Sequence, residues 1–106
     1  MWRLALVAGL LADTQCRPAA PPPRRYLVEI RQMAFVPGSL TVAPGDTVVW
    51  VNRDFLPHTS TSTVWDTKPL VEGKSGMMVA GALGEISYHC QFHPTMVGSV
   101  IVVQPR

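Results

Sequence analysis

Ser39-Leu40-Thr41-Val42-Ala43-Pro44-Gly45-Asp46-Thr47-Val48-Val49-Trp50-Val51-Asn52 is the stretch that decides the fold. Leu40 and Val42 alternate with Ser39 and Thr41, the period of a half-buried strand. Ala43 to Asp46 is a turn, in which proline pre-sets one dihedral and glycine supplies a positive φ. Thr47 to Asn52 is β-branched and aromatic, and reads as a strong strand. Upstream, Tyr26-Leu27-Val28-Glu29-Ile30 is rich in β-formers, and Phe35-Val36-Pro37-Gly38 breaks the run. Downstream, His58 to Val64 reads as extended and Lys68 to Gly76 as loop. Gly76 to Ala80 and Glu85 to Cys90 are strand candidates on either side of Gly81-Ala82-Leu83-Gly84, and Met96 to Val103 closes the chain as a β-branched run. No segment of useful length carries a helical period. Short strands separated by proline-glycine turns predict an all-β sandwich.

A chain of 106 residues is long enough for one domain with a sizeable core. The net charge of +2 is unevenly placed. From Tyr26 onward, Arg31, Arg53, Lys68, Lys74 and Arg106 are set against Glu29, Asp46, Asp54, Asp66, Glu72 and Glu85, so the body is near neutral. The excess lies at Arg3, Arg17, Arg24 and Arg25. A nucleic-acid partner needs a basic face, and this body offers none.

Residues 1–15 read as a signal-like leader. Arg3 is a minimal positive start, and Leu4 to Ala12 is an apolar run too short to span a bilayer as a helix. Residues 16–25, with Pro18, Pro21, Pro22 and Pro23, read as a stiff extended linker, and residues 26–106 as the folded domain. The expected location is periplasmic or secreted, with no membrane span after processing. Cleavage, lipidation at Cys16 and retention of the leader all stay open, although Gln15 stands where a lipidation signal places a small residue. The two cysteines could pair in an exported protein, but Cys16 lies in leader or linker and Cys90 deep in the domain. Cys90 is better explained as a free thiol with another task.

That task is suggested by its neighbours. Cys90, His93 and Met96 follow a Cys-x-x-His-x-x-Met spacing at the end of a strand, and Pro94 marks a tight loop. Three ligand-type side chains can then converge from one short segment. His58, after Pro57 in a turn between strands, is the candidate for a fourth. Two imidazoles, a thiolate and a weak thioether suit a single copper ion that cycles between two oxidation states. Taken singly, a turn histidine, a buried thiol and a core methionine are ordinary features. Their joint occurrence at this spacing in an all-β frame is much more specific.

These residues resemble the cupredoxins, the blue copper proteins, and within them the amicyanin-like and plastocyanin-like carriers. The resemblance runs from about Phe35 to Val103. It is carried by Leu40-Thr41-Val42, Pro44-Gly45-Asp46-Thr47-Val48, Trp50-Val51-Asn52, Pro57-His58-Thr59, and Tyr88-His89-Cys90 through His93-Pro94 to Met96. It implies a Greek-key β-sandwich of about eight strands with one copper at one end, ligated by His58, Cys90, His93 and Met96. The implied function is electron transfer between redox protein partners by a monomer that is not an enzyme. The resemblance also implies that the Thr59 backbone N–H donates to the Cys90 sulfur, and that Asn52 ties the His58 loop to the ligand loop. Gly76-Met77-Met78-Val79-Ala80-Gly81 departs from the family pattern and leaves strand boundaries there open.

Other readings predict other behaviour. A cysteine hydrolase would use Cys90 as nucleophile and His58 as base, but no orienting third residue is visible and Met96 is left over. A copper delivery or storage protein would share the ligands. His89 points away from Cys90 in strand geometry. Residue 91 is glutamine, so the His-Cys-His bridge of the multicopper oxidases is missing.

Overall fold

A computed structural model describes Gly9 and residues 21–105. Among these residues there are seven strands: β1 (Arg25–Arg31), β2 (Ala34–Val36), β3 (Ser39–Val42), β4 (Thr47–Asn52), β5 (Ser75–Val79), β6 (Gly84–His89) and β7 (Val97–Val102). They form two sheets, in the orders β2-β1-β4-β5 and β3-β7-β6. The chain changes sheet after β2, β3 and β5, and this leaves parallel pairs β1/β4 and β3/β7 inside an otherwise antiparallel sandwich. The expected leader, most of the linker and Cys16 lie outside the described residues.

Alternation builds the core. Val28 and Ile30 of β1 and Val48 and Trp50 of β4 point inward and are at most 1% exposed. They meet Val42, Tyr88, Val100 and Val102 from the second sheet. Trp50 stacks on Trp65 at 5.4 Å between ring centroids and meets Tyr88 edge-on at 5.3 Å. Such pairs add to simple area burial. A Cβ on Gly98 would lie 2.4 Å from Tyr88 Cζ, so glycine there lets the Tyr88 ring lie against β7. Tyr88 and Cys90 share the buried face of the second sheet, and His89 faces away.

The structure differs from the sequence reading in three places. First, His58 to Val64, read as extended, makes only isolated bridges, His58 with Leu70 and Thr61 with Asp66 and His89, so the described residues form seven strands where the resemblance implied about eight. His58, Thr59 and Ser60 are each 0% exposed and bond to different neighbours: His58 Nε2 to Asp54, the Thr59 hydroxyl to that of Thr61, and Ser60 Oγ accepts from the Trp65 indole. Second, Ala34–Val36 forms a strand where a break was expected. Gln32 and Met33 both take positive φ, 51° and 59°, in a two-residue turn that usually calls for Asn or Gly. The carboxylate of Asp54 accepts both of their N–H groups, at 2.7 and 2.9 Å, and so holds that turn. Third, the sheet takes hold before Tyr26. Arg25 is already in β1, and Arg24 is tied to Asp46 and Thr47.

Candidate metal centre

Two loops meet at one end of the sandwich. One follows β4 and carries His58; the other follows β6 and carries Cys90, His93 and Met96. The second loop closes on itself through three backbone bonds. The N–H of Cys90 donates to the Met96 carbonyl (3.0 Å), that of Met96 to the His93 carbonyl (2.8 Å), and that of His93 to the Cys90 carbonyl (3.3 Å). Pro94 fits such a turn, since it has no N–H to satisfy.

One ligand-type atom from each of His58, Cys90 and His93 lies within 4.8 Å of the others. The Cys90 Sγ is 3.6 Å from His58 Nδ1 and 3.7 Å from His93 Nδ1, and the two rings sit 5.1 Å apart, centroid to centroid. Cys90 and His58 are fully buried, while His93 is half-buried. Cys90 is a free thiol. Met96 belongs to the same closed loop and is 5% exposed.

Hydrogen bonds outside the donors set their state. His58 Nε2 lies 2.9 Å from Asp54 Oδ2. Burial is the largest single influence on Asp54 and raises its pKa. The N–H groups of Met33 and Gln32 and the His58 ring together outweigh it, so the carboxyl sits below its ordinary value of 3.8. An ionised carboxylate only accepts, so Nε2 carries the proton and the Nδ1 lone pair is free to face the sulfur and a metal. The Thr59 N–H points at Cys90 Sγ from 3.5 Å, as the resemblance implied.

Asn52 does not tie the two loops together as expected. Its amide donates to the carbonyls of Leu56 and Leu70, and its oxygen accepts the Asp54 N–H, so it braces the His58 loop alone. The cross-link is made by threonines. The Thr59 hydroxyl accepts the Gln91 N–H at 2.8 Å, and Thr61 exchanges two backbone bonds of 2.9 Å with His89. Sequence reasoning missed the Thr59 hydroxyl, the Thr61 backbone link and Asp54. An acid four residues before a histidine is a faint signal in a loop, where spacing does not dictate geometry.

The donor set fits copper. It comprises one sulfur, soft enough for the reduced ion, and two imidazole nitrogens that suit both oxidation states, all gathered at one buried end. No protein-family model matches the chain. An amicyanin of Paracoccus denitrificans is 29% identical over 119 aligned positions, which cover 89% of this chain and 82% of that one. A plastocyanin of Synechococcus sp. is 30% identical over 121 positions, covering 92% and 85%. Among solved structures, a purple cupredoxin from Nitrosopumilus maritimus superposes with a TM-score of 0.69 at 28% identity, over 74% of this chain and 99% of that one. A copper-containing nitrite reductase from Thermus scotoductus superposes at 0.71 with 25% identity, but this chain spans only 24% of it. With two sheets of the solved relatives' fold and 30% identity to a plastocyanin along 85% of its length, the chain belongs to the cupredoxins, the blue copper proteins.

Proposed function

We propose that His58 Nδ1, Cys90 Sγ and His93 Nδ1 hold one copper ion, that Met96 is its weak axial ligand, and that the loaded protein passes single electrons between redox protein partners. The observation that carries this reading is the gathering of three donors within 4.8 Å at a buried end of a braced frame. Bound copper supplies a one-electron couple between Cu(II) and Cu(I). The protein's part is to hold the donors still. Asp54 orients His58, the Thr59 N–H faces the sulfur, and the closed loop fixes His93. Donors already in place move little when the charge of an ion changes, and this favours fast transfer.

His93 offers the route outward. It is half-buried between exposed Phe92, Pro94 and Thr95. Residues 53–57 reach the same end of the sandwich, with Phe55 90% and Leu56 46% exposed. An apolar collar around a ligand edge suits brief, desolvated contact, and electron-transfer interfaces are small. We assign residues 1–15 to a leader, the stretch between it and the sheet that begins at Arg25 to a linker, and the working protein to a periplasmic or secreted monomer. Among the described residues no helix is long and apolar enough to cross a membrane.

Asp54, His58 and Cys90 also form a line that a cysteine hydrolase would use, with the orienting carboxylate that the sequence reading did not see. The 0% exposure of Cys90 argues against that chemistry, since a nucleophile must reach a carbonyl carbon. The deciding experiment is the visible spectrum of the copper-loaded protein. An intense blue band that bleaches reversibly on reduction is expected. A colourless protein that gives up copper rapidly to a chelator would overturn the carrier reading in favour of delivery or storage.

A further inference from the structure

A row of hydroxyls leads away from the sulfur. Asp66, on the loop surface, accepts with Oδ1 from the Thr61 hydroxyl at 3.3 Å and from the Lys68 N–H at 2.9 Å. Its Oδ2 faces Lys68 Nζ at 3.6 Å. The Lys68 N–H, first among several donors, holds the Asp66 carboxyl below its ordinary value, so this end of the row only accepts. A threonine hydroxyl has one proton. Thr61 gives its proton to Asp66, so in the 2.8 Å contact between Thr61 Oγ1 and Thr59 Oγ1 it is Thr59 that donates. The proton of Thr59 is then committed as well, and its oxygen accepts the Gln91 N–H at 2.8 Å. Every step has one permitted direction: Gln91 N–H to Thr59, Thr59 to Thr61, Thr61 to Asp66.

The near end of this relay encloses Cys90. Gln91 is the next residue along the chain, and the backbone N–H of Thr59 points at Cys90 Sγ. Thr59 is fully buried and Asp66 is exposed, so the relay joins the surface to the sulfur. We infer that Asp66 is a remote positioning residue, which acts through the Thr61 and Thr59 hydroxyls to pin the Cys90–Gln91 peptide and keep the Thr59 N–H on the sulfur, and so sets the reduction potential of the site. The inference rests on the copper reading for its effect on potential, while the relay itself is a property of the chain. An N–H directed at a thiolate draws electron density from the sulfur and favours the electron-rich, reduced state. A slack relay lets Thr59 turn and weakens that contact, so the potential falls.

Two variants separate the relay from the charge of Asp66. Thr61→Val keeps the carboxylate and removes the relay. Asp66→Asn removes the charge and keeps an oxygen that can accept from Thr61. In copper-free protein, Thr61→Val should speed exchange of the Gln91 amide proton about five- to tenfold, the loss of one modest hydrogen bond, and Asp66→Asn should speed it much less. In copper-loaded protein, Thr61→Val should lower the reduction potential with the blue band intact, and Thr61→Ser, which restores the hydroxyl, should return it. Unchanged Gln91 exchange in Thr61→Val, or a potential that follows Asp66→Asn and ignores Thr61→Val, overturns the relay. A wild-type protein that takes up no copper would defeat the carrier reading instead, and the exchange result would stand apart from it.

Discussion

Two aspartates stand beyond opposite ends of β4 and use the same device for different purposes. Asp46 is 5% exposed and accepts the N–H groups of Arg24 (2.8 Å) and Ala43 (2.9 Å). Its own backbone, with that of Gly45, bonds to Ala80, so one residue closes a turn, seats the start of β1 and holds the end of β5. Asp54 accepts the N–H groups of Gln32 and Met33 in the same bidentate manner, although both of its donors lie 21 and 22 residues away, whereas Ala43 is three residues from Asp46. The difference is a third donor, His58 Nε2, on Oδ2. At the far end the carboxylate serves the fold alone. At the metal end it also fixes which histidine nitrogen carries a proton. A carboxylate clamped by backbone is thus a structural part that becomes functional through what else faces it.

The largest effect that can break this contrast is at the sulfur. Cys90→Ser should abolish the intense blue band, whereas Asp46→Asn, at the far end, should leave it unchanged in a copper titration followed by absorbance. A fully blue Cys90→Ser protein would remove the reason for treating the two ends differently. Next comes Met96. Met96→Leu should stay coloured and shift the reduction potential, as voltammetry would show, because an axial thioether tunes the ion and does not anchor it. Loss of all copper binding would make Met96 a primary ligand.

Asp54→Asn sharpens the comparison directly. The carboxylate takes three donors, and an amide presents one oxygen and one NH2 group, so either amide orientation sets donor against donor. The expected loss is about 1 kcal/mol in denaturant unfolding, together with a changed reduction potential. Stability loss with no change in potential would show that Asp54 serves the turn alone, as Asp46 serves its own. The smallest effect belongs to Asp46→Asn. The Arg24 N–H first, then the Ala43 N–H, hold the Asp46 carboxyl below its ordinary value of 3.8. A pKa depressed by folding stabilises the protein above the unfolded value, and that contribution disappears as pH falls through the folded value. Melting temperatures taken down from about pH 5 should therefore drop less steeply in Asp46→Asn than in the wild type, with identical spectra. Parallel curves would show that Asp46 contributes nothing to the acid limb.

What the sequence by itself determined is what neighbouring residues can encode. The alternation at Ser39–Val42, the Pro44-Gly45 turn and the β-branched run at Thr47–Asn52 belong to strands that the structure contains, because side-chain period is a property of a few consecutive residues. The convergence of Cys90 and His93 could be read in the same way, since a seven-residue loop leaves its side chains little room to part. The tertiary structure decided the rest. Gln32 and Met33 carry no turn signal of their own, and their left-handed backbone stands beside a carboxylate 21 and 22 residues away. His58 to Val64 has a strand's composition and no strand's ladder: His58 faces the site, while the Ser60 hydroxyl is taken by the Trp65 indole. Asn52 braces one loop and not two, and the link between loops passes through Thr59 to Gln91, 32 residues on. Hydrogen bonds of that reach depend on which chain ends the packed sheets bring together, and no local pattern records them.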